Sequence, residues 1–163
     1  MLDEQNLEQR LTALEAARSW SPRVVSRLET LLRSDAEEAL YRVNPVRFAA
    51  EKEISEAEAI DLFLHATRVG LFEMDWLLVC PMCSDVVESL RSLHMLHNHF
   101  HCPACQTDYE AVLDHCIVVS FTVSPAVRKI RFHDPDSLSA WDYAIVCRGS
   151  PLGLTAEGVP HWR

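Results

Sequence analysis

Up to Gly70 the apolar residues recur at helical spacing, and beyond it they fall into short runs and alternations. Leu2, Leu7, Leu11, Leu14 and Ala17 mark one face of a first helix over residues 2–18. Ser21-Pro22 reads as a cap followed by proline at the first helical position. The helix it opens buries Val24, Val25, Leu28, Leu31 and Leu32 and ends near Arg33. Ser34 or Asp35 caps a short third helix through Glu37, Ala39 and Leu40, and Asn44-Pro45 ends it. Pro45 opens another short helix to Lys52, with Val46, Phe48 and Ala49 apolar. Ser55-Glu-Ala-Glu58 is a capping box, in which serine and glutamate satisfy each other's helix-end donors. The helix that follows sets Ala59, Ile60, Phe63, Leu64 and Thr67 on one face, and Gly70 stops it.

Leu71 to Val79 then reads as extended, so residues 45–79 resemble a helix-turn-helix with the start of a wing. Cys116 to Val123 is β-rich, with Ile117, Val119, Phe121 and Val123 toward a core and Val118, Ser120 and Thr122 opposite. Ser124-Pro125 makes a turn, and Ala126 to Phe132 reads as a second strand. The tail after His133 is rich in proline, glycine and serine, where order is weakest.

Two cysteine pairs interrupt this pattern. Cys80-Pro-Met-Cys83 and Cys102-Pro-Ala-Cys105 are separated by 18 residues. Each Cys-x-x-Cys turn places two sulfurs on one side of an ion, and two such turns at hairpin tips complete a tetrahedron. Proline after each first cysteine pre-sets the turn. The spacing points to one structural Zn2+ per chain, held by Cys80, Cys83, Cys102 and Cys105. A closed four-cysteine site leaves no position for water or substrate. An iron–sulfur cluster is the minor alternative. The expected fold is α+β: N-terminal helices, a winged-helix-like unit, then a four-cysteine zinc ribbon with antiparallel strands. The expected division is 1–34, 35–79, 80–132 and an irregular tail, 133–163.

Between the pairs lie His94, His97, His99 and His101, candidates for sulfur-bonded neighbours of the zinc or for a second, weak metal site. No carboxylate flanks them as the outer partner of a metal-bound histidine would, which favours a polar hairpin arm over a second site. Cys116 and Cys147 read as buried structural thiols among apolar neighbours. His65 reads as a partly buried helix residue, and Asp134 and Asp136 as turn formers around Pro135. No catalytic set is legible.

Composition narrows the partners. The 163 residues are 48% hydrophobic, enough for a real core, and no apolar run approaches the roughly 18 residues of a membrane span. The N-terminus lacks the basic and apolar regions of a secretory signal, so the expected compartment is the reducing cytoplasm. The net charge of −9 opposes nucleic acid and anionic membranes as partners. Leu7, Leu11 and Leu14 form a narrow seam, which either packs on the domain's own core or self-associates or docks a partner helix.

The runs Asn44-Pro-Val-Arg47-Phe-Ala and Phe63-Leu-His65-Ala66-Thr-Arg68-Val-Gly70-Leu-Phe, Trp76, both Cys-Pro-x-Cys turns, Leu113-Asp114, and Val118 to Arg128 form a pattern over about residues 36–150. It resembles an uncharacterised bacterial domain that occurs N-terminal to class III adenylate/guanylate cyclase catalytic domains. The resemblance implies a sensory or regulatory module. No cyclase catalytic domain follows here, so the catalytic aspartates of cyclases have no counterparts, and the chain is expected to be a truncated or stand-alone copy. Two functions compete: a zinc-stabilised regulatory or protein-interaction domain, not an enzyme, and a DNA-binding regulator of winged-helix plus zinc-ribbon type. Glu56, Glu58 and Asp61, at the start of the would-be recognition helix, argue against DNA, while Arg42, Arg47 and Lys52 argue for it. A third class, a metal-dependent enzyme, needs the histidines to form an open site.

Overall fold

The computed structural model describes residues 1–142. Cys147 lies outside them. Helices α1 (Glu4–Ala17), α2 (Val24–Leu32), α3 (Pro45–Lys52) and α4 (Glu56–Arg68) come first, with a 3-10 turn at Glu37–Leu40. Strands β1 (Phe72–Val79), β2 (Val86–Leu90), β3 (His99–Cys102) and β4 (Thr107–Glu110) follow, then a helical turn α5 (Leu113–Cys116) and β5 (Ile117–Val123). One sheet has the order β2-β1-β5, and β3 and β4 form a second, two-stranded sheet. The described residues group into two compact units: Met1–Met74 with Phe121–His133, and Asp75–Ser120 with residues 134–142.

The first unit is built on helix faces and aromatic rings. Phe63 is fully buried, and its ring centroid lies 5.3, 5.1 and 5.2 Å from those of Phe48, Phe72 and Phe121. Burying one such ring stabilises by about 2–3 kcal/mol. Leu7, Leu11 and Leu14 are buried in the same unit. The leucine seam is therefore core packing and offers no free stripe to a partner. Glu58 and Asp61 are also engaged: Glu58 accepts from the Ser21 N–H at 2.9 Å, and Asp61 pairs with Arg18 at 2.5 Å.

Several helix ends follow local chemistry. Asn44 caps α3 and Ser55 caps α4 through their side-chain oxygens. The α4 capping box is half formed, because the Glu58 carboxylate turns to Ser21. Gly70 ends α4 at φ 82°, with Gly70 N–H bonded to Thr67 O and Leu71 N–H to Ala66 O. This double bond pattern closes a helix through a left-handed residue. The Arg10 guanidinium covers Gly70 and donates to Val69 O at 2.9 Å.

Other elements depart from the pattern-based expectation. Helix α1 begins at Glu4 with Asp3 as its cap, while Leu2 bridges Arg128 and Ala17 is exposed. Helix α2 starts one residue after Arg23, which sits at φ 67° with no side-chain cap, so Ser21-Pro22 precedes the helix without capping it. The Glu37–Leu40 segment is 3-10 with Ala36 at its cap, so neither Ser34 nor Asp35 caps it. On α4, Ile60 and Leu64 are 42% and 45% exposed, and Leu62 and Ala66 are the buried partners of Ala59 and Phe63. Residues 126–132 form turns and the 3-10 segment Arg131–His133, not a strand. Strand β5 does not alternate, because Ser120, Phe121, Thr122 and Val123 are all buried. Phe121 there exchanges backbone bonds with Val43, at 2.7 and 3.1 Å. The whole is a mixed helix-and-strand fold with antiparallel hairpins.

Candidate metal centre

Both cysteine pairs sit at hairpin tips. Cys80 follows β1, Cys83 lies in the turn to β2, Cys102 ends β3, and Cys105 lies in the turn to β4. The β1–β2 register slips between Leu78 and Val79, where Val87 of β2 is passed over, just before Cys80. The residue after each second cysteine is left-handed: Ser84 at φ 63° and Gln106 at φ 53°. Each turn, followed by a left-handed residue, presents two sulfurs. Gln106 also donates from its side chain to Pro103 O at 2.6 Å, which fastens the second turn.

The four sulfurs lie within 4.8 Å of one another. Cys80 Sγ stands 3.5 Å from Cys105 Sγ, and Cys83 Sγ stands 3.6 Å from Cys102 Sγ. A disulfide needs about 2.05 Å, so these are open thiols. Four sulfurs about 2.3 Å from one tetrahedral ion stand about 3.8 Å apart, close to both separations. The set can therefore hold one metal ion. Among the described residues it is the sole group of three or more such ligands close enough to do so.

Backbone and burial tune the thiols. Cys80 and Cys102 are buried, Cys105 is half-buried and Cys83 is exposed. Burial pushes the Cys80 thiol up, but N–H groups of Cys83 and Met82 aimed at its sulfur outweigh that and bring it down to about 7. Burial pushes Cys83 up to about 12, helped by the neighbouring sulfurs of Cys80 and Cys102 and opposed by the Asp85 N–H. Cys102 is also raised, first by burial. One ready thiolate thus stands among thiols that resist ionising next to it. A cation relieves that repulsion, as metal-bound cysteine requires.

A residue the sequence reading passed over completes the centre. The Tyr109 hydroxyl lies 3.4 Å from Cys105 Sγ, and that contact holds the phenol proton and raises its ionisation above the usual value. Its ring packs against Phe100, its cross-strand partner, at 5.6 Å. The signal was present in the sequence: tyrosine four positions after a cysteine, at the start of a second hairpin arm.

The histidines lie elsewhere. His94, His97, His99 and His101 are all exposed, and among the described residues none of the four bonds a cysteine sulfur. His101 Nδ1 instead meets Asp108 Oδ1 at 2.8 Å, across the β3–β4 pair. A carboxylate does flank the cluster, brought there by strand pairing. Cys116 is buried, 3.9 Å from Glu110 O. His65 is half-buried, edge-on to Trp20 at 5.5 Å. Asp134 accepts from Ser137 in a turn, and Asp136 is exposed.

Fold and site together define a mixed helix-and-strand chain carrying a four-cysteine centre at paired hairpin tips. The profile of the family of unknown function DUF5939 matches residues 4–157, and the chain belongs to that family. No curated protein and no solved structure matches the chain significantly. Among the described residues, no helix is long and apolar enough to cross a membrane.

Proposed function

We propose that the chain is a zinc-stabilised, non-catalytic module that binds a protein partner or a second copy of itself, in nucleotide-cyclase-type signalling. The observation that carries the zinc is the convergence of four sulfurs within 4.8 Å, two of them on the β3–β4 hairpin, which has almost no core of its own. Across His99–Glu110 only Cys102 is buried, so a bound ion takes the place of apolar packing. Cys80, Cys83, Cys102 and Cys105 would fill all four positions of a tetrahedral ion, which suits a structural role. The cyclase link rests on the motif resemblance between about residues 36 and 150, and the regulatory role rests on that link. The reducing cytoplasm suits thiols kept open at 3.5 and 3.6 Å.

A winged-helix reading of residues 45–79 rests on the order α3, α4, β1. DNA is disfavoured as partner by the net charge of −9 and by Glu56 and Glu58 in the first turn of α4. The test mixes the purified chain with a class III cyclase catalytic domain and follows cyclic-nucleotide formation and sedimentation. A changed rate or a joint species supports the reading. No change in either removes the signalling role, whereas a duplex shift at about 100 mM salt that fades steeply with more salt favours DNA.

A further inference from the structure

We propose a second, exposed metal site on the β3–β4 hairpin, in which His99 and His101 chelate a borderline divalent cation such as Ni2+, Co2+ or Zn2+. Side chains alternate along β3, so His99 and His101 share one face while Phe100 and Cys102 take the other. Two residues on one strand face stand about 7 Å apart at the backbone, within reach of two imidazoles converging on one ion. Imidazole is a suitable ligand for these metals. Both histidines are exposed.

The antiparallel register supplies what the sequence spacing hides. Glu110 lies opposite His99, and Asp108 lies opposite His101. The face therefore carries two imidazoles and two carboxylates. Asp108 Oδ1 holds His101 Nδ1 at 2.8 Å. A carboxylate there accepts a hydrogen bond from the Nδ1–H tautomer, fixes the ring and leaves the Nε2 lone pair for a cation, the arrangement found behind metal-bound histidines. The ion would sit on the face opposite Cys102 and use nitrogen, not sulfur. Two nitrogens leave further positions to water, so this site binds far more weakly than the four cysteines. His94, in the Leu93–Met95 turn, and His97, ahead of β3, lie outside this face. The inference does not rest on the signalling role.

The test titrates Ni2+ into the full chain loaded with one zinc per chain, by calorimetry, and measures zinc content afterwards. One Ni2+ binds per chain and the zinc stays. His99→Gln and His101→Gln each weaken Ni2+ binding at least about tenfold, and Asp108→Asn weakens it by about tenfold through the loss of the orienting carboxylate. The double variant His94→Gln/His97→Gln binds as the parent does. The proposal is overturned if no Ni2+ binds, if Ni2+ enters only as zinc leaves, or if His99→Gln and His101→Gln bind like the parent. It is also overturned if the His94/His97 double variant alone loses binding.

Discussion

Stripping the metal should unfold the β3–β4 hairpin while α1 to α4 persist. The magnitude follows from what each part buries. Ordering the twelve residues His99–Glu110 costs about 12 kcal/mol at about 1 kcal/mol each. The Phe100–Tyr109 ring pair returns about 1 kcal/mol, and the His101–Asp108 pair about 0.5 kcal/mol. That leaves about 10 kcal/mol, and metal ligation in small zinc domains supplies about 10–16 kcal/mol. The first unit has no such debt, because Leu7, Leu14, Leu28, Leu32, Leu62 and Phe63 are fully buried there. The assay is amide hydrogen exchange, read by mass spectrometry, on zinc-loaded chain and on chain stripped by a chelator under reducing conditions. Peptides covering 99–110 should lose protection to the level of an open chain, and those covering 4–17 and 56–68 should keep most of theirs. If 99–110 stays protected in chain shown to be metal-free, the hairpin is held by its own contacts and the reasoning fails.

Further expectations concern single groups. Tyr109→Phe removes the hydroxyl beside Cys105 and should speed zinc loss to a chelator about tenfold, with the melting of α1 to α4 unchanged; an unaltered rate would make the 3.4 Å contact incidental. Gly70→Ala places a Cβ at φ 82° and against the Arg10 guanidinium, and should cost about 1–3 kcal/mol in urea unfolding. Arg10→Ala should reduce that cost in a double-mutant cycle, and a fully additive pair would show that the clash contributes nothing. Zinc affinity should fall as pH falls, more steeply once the metal-free Cys80 thiol takes its proton below about 7. In the metal-free chain the same lowered thiol stabilises above its ordinary value near 9.0, and that share is lost as pH falls toward about 7. Competition titrations at several pH values check the first, and urea midpoints of stripped chain the second.

What the sequence made legible was local. Asn44-Pro45 and Ser55 announce helix starts through side chains that bond the adjacent backbone, and Gly70 announces a stop through its own φ. The Cys-x-x-Cys turns are likewise self-contained. The misreadings needed distant partners. Arg23 takes a left-handed φ that arginine does not advertise, which shifts the start of α2. Residues 126–132 have a β-like composition, yet Arg128 turns to cap α2 through Leu32 O and Ser34 O. Strand β5 does not alternate over its buried end, where Val43, distant in sequence, bridges Phe121. The Asp108 and Tyr109 contacts at the hairpin exist only once β3 and β4 are in register.

The most direct test of the metal centre is native mass spectrometry of the purified chain, combined with elemental analysis. The account predicts one zinc per chain, lost in Cys102→Ser, whose sulfur is fully buried and 3.6 Å from that of Cys83. Folded chain with no bound metal, iron in place of zinc, or zinc retained at full occupancy in Cys102→Ser would contradict it.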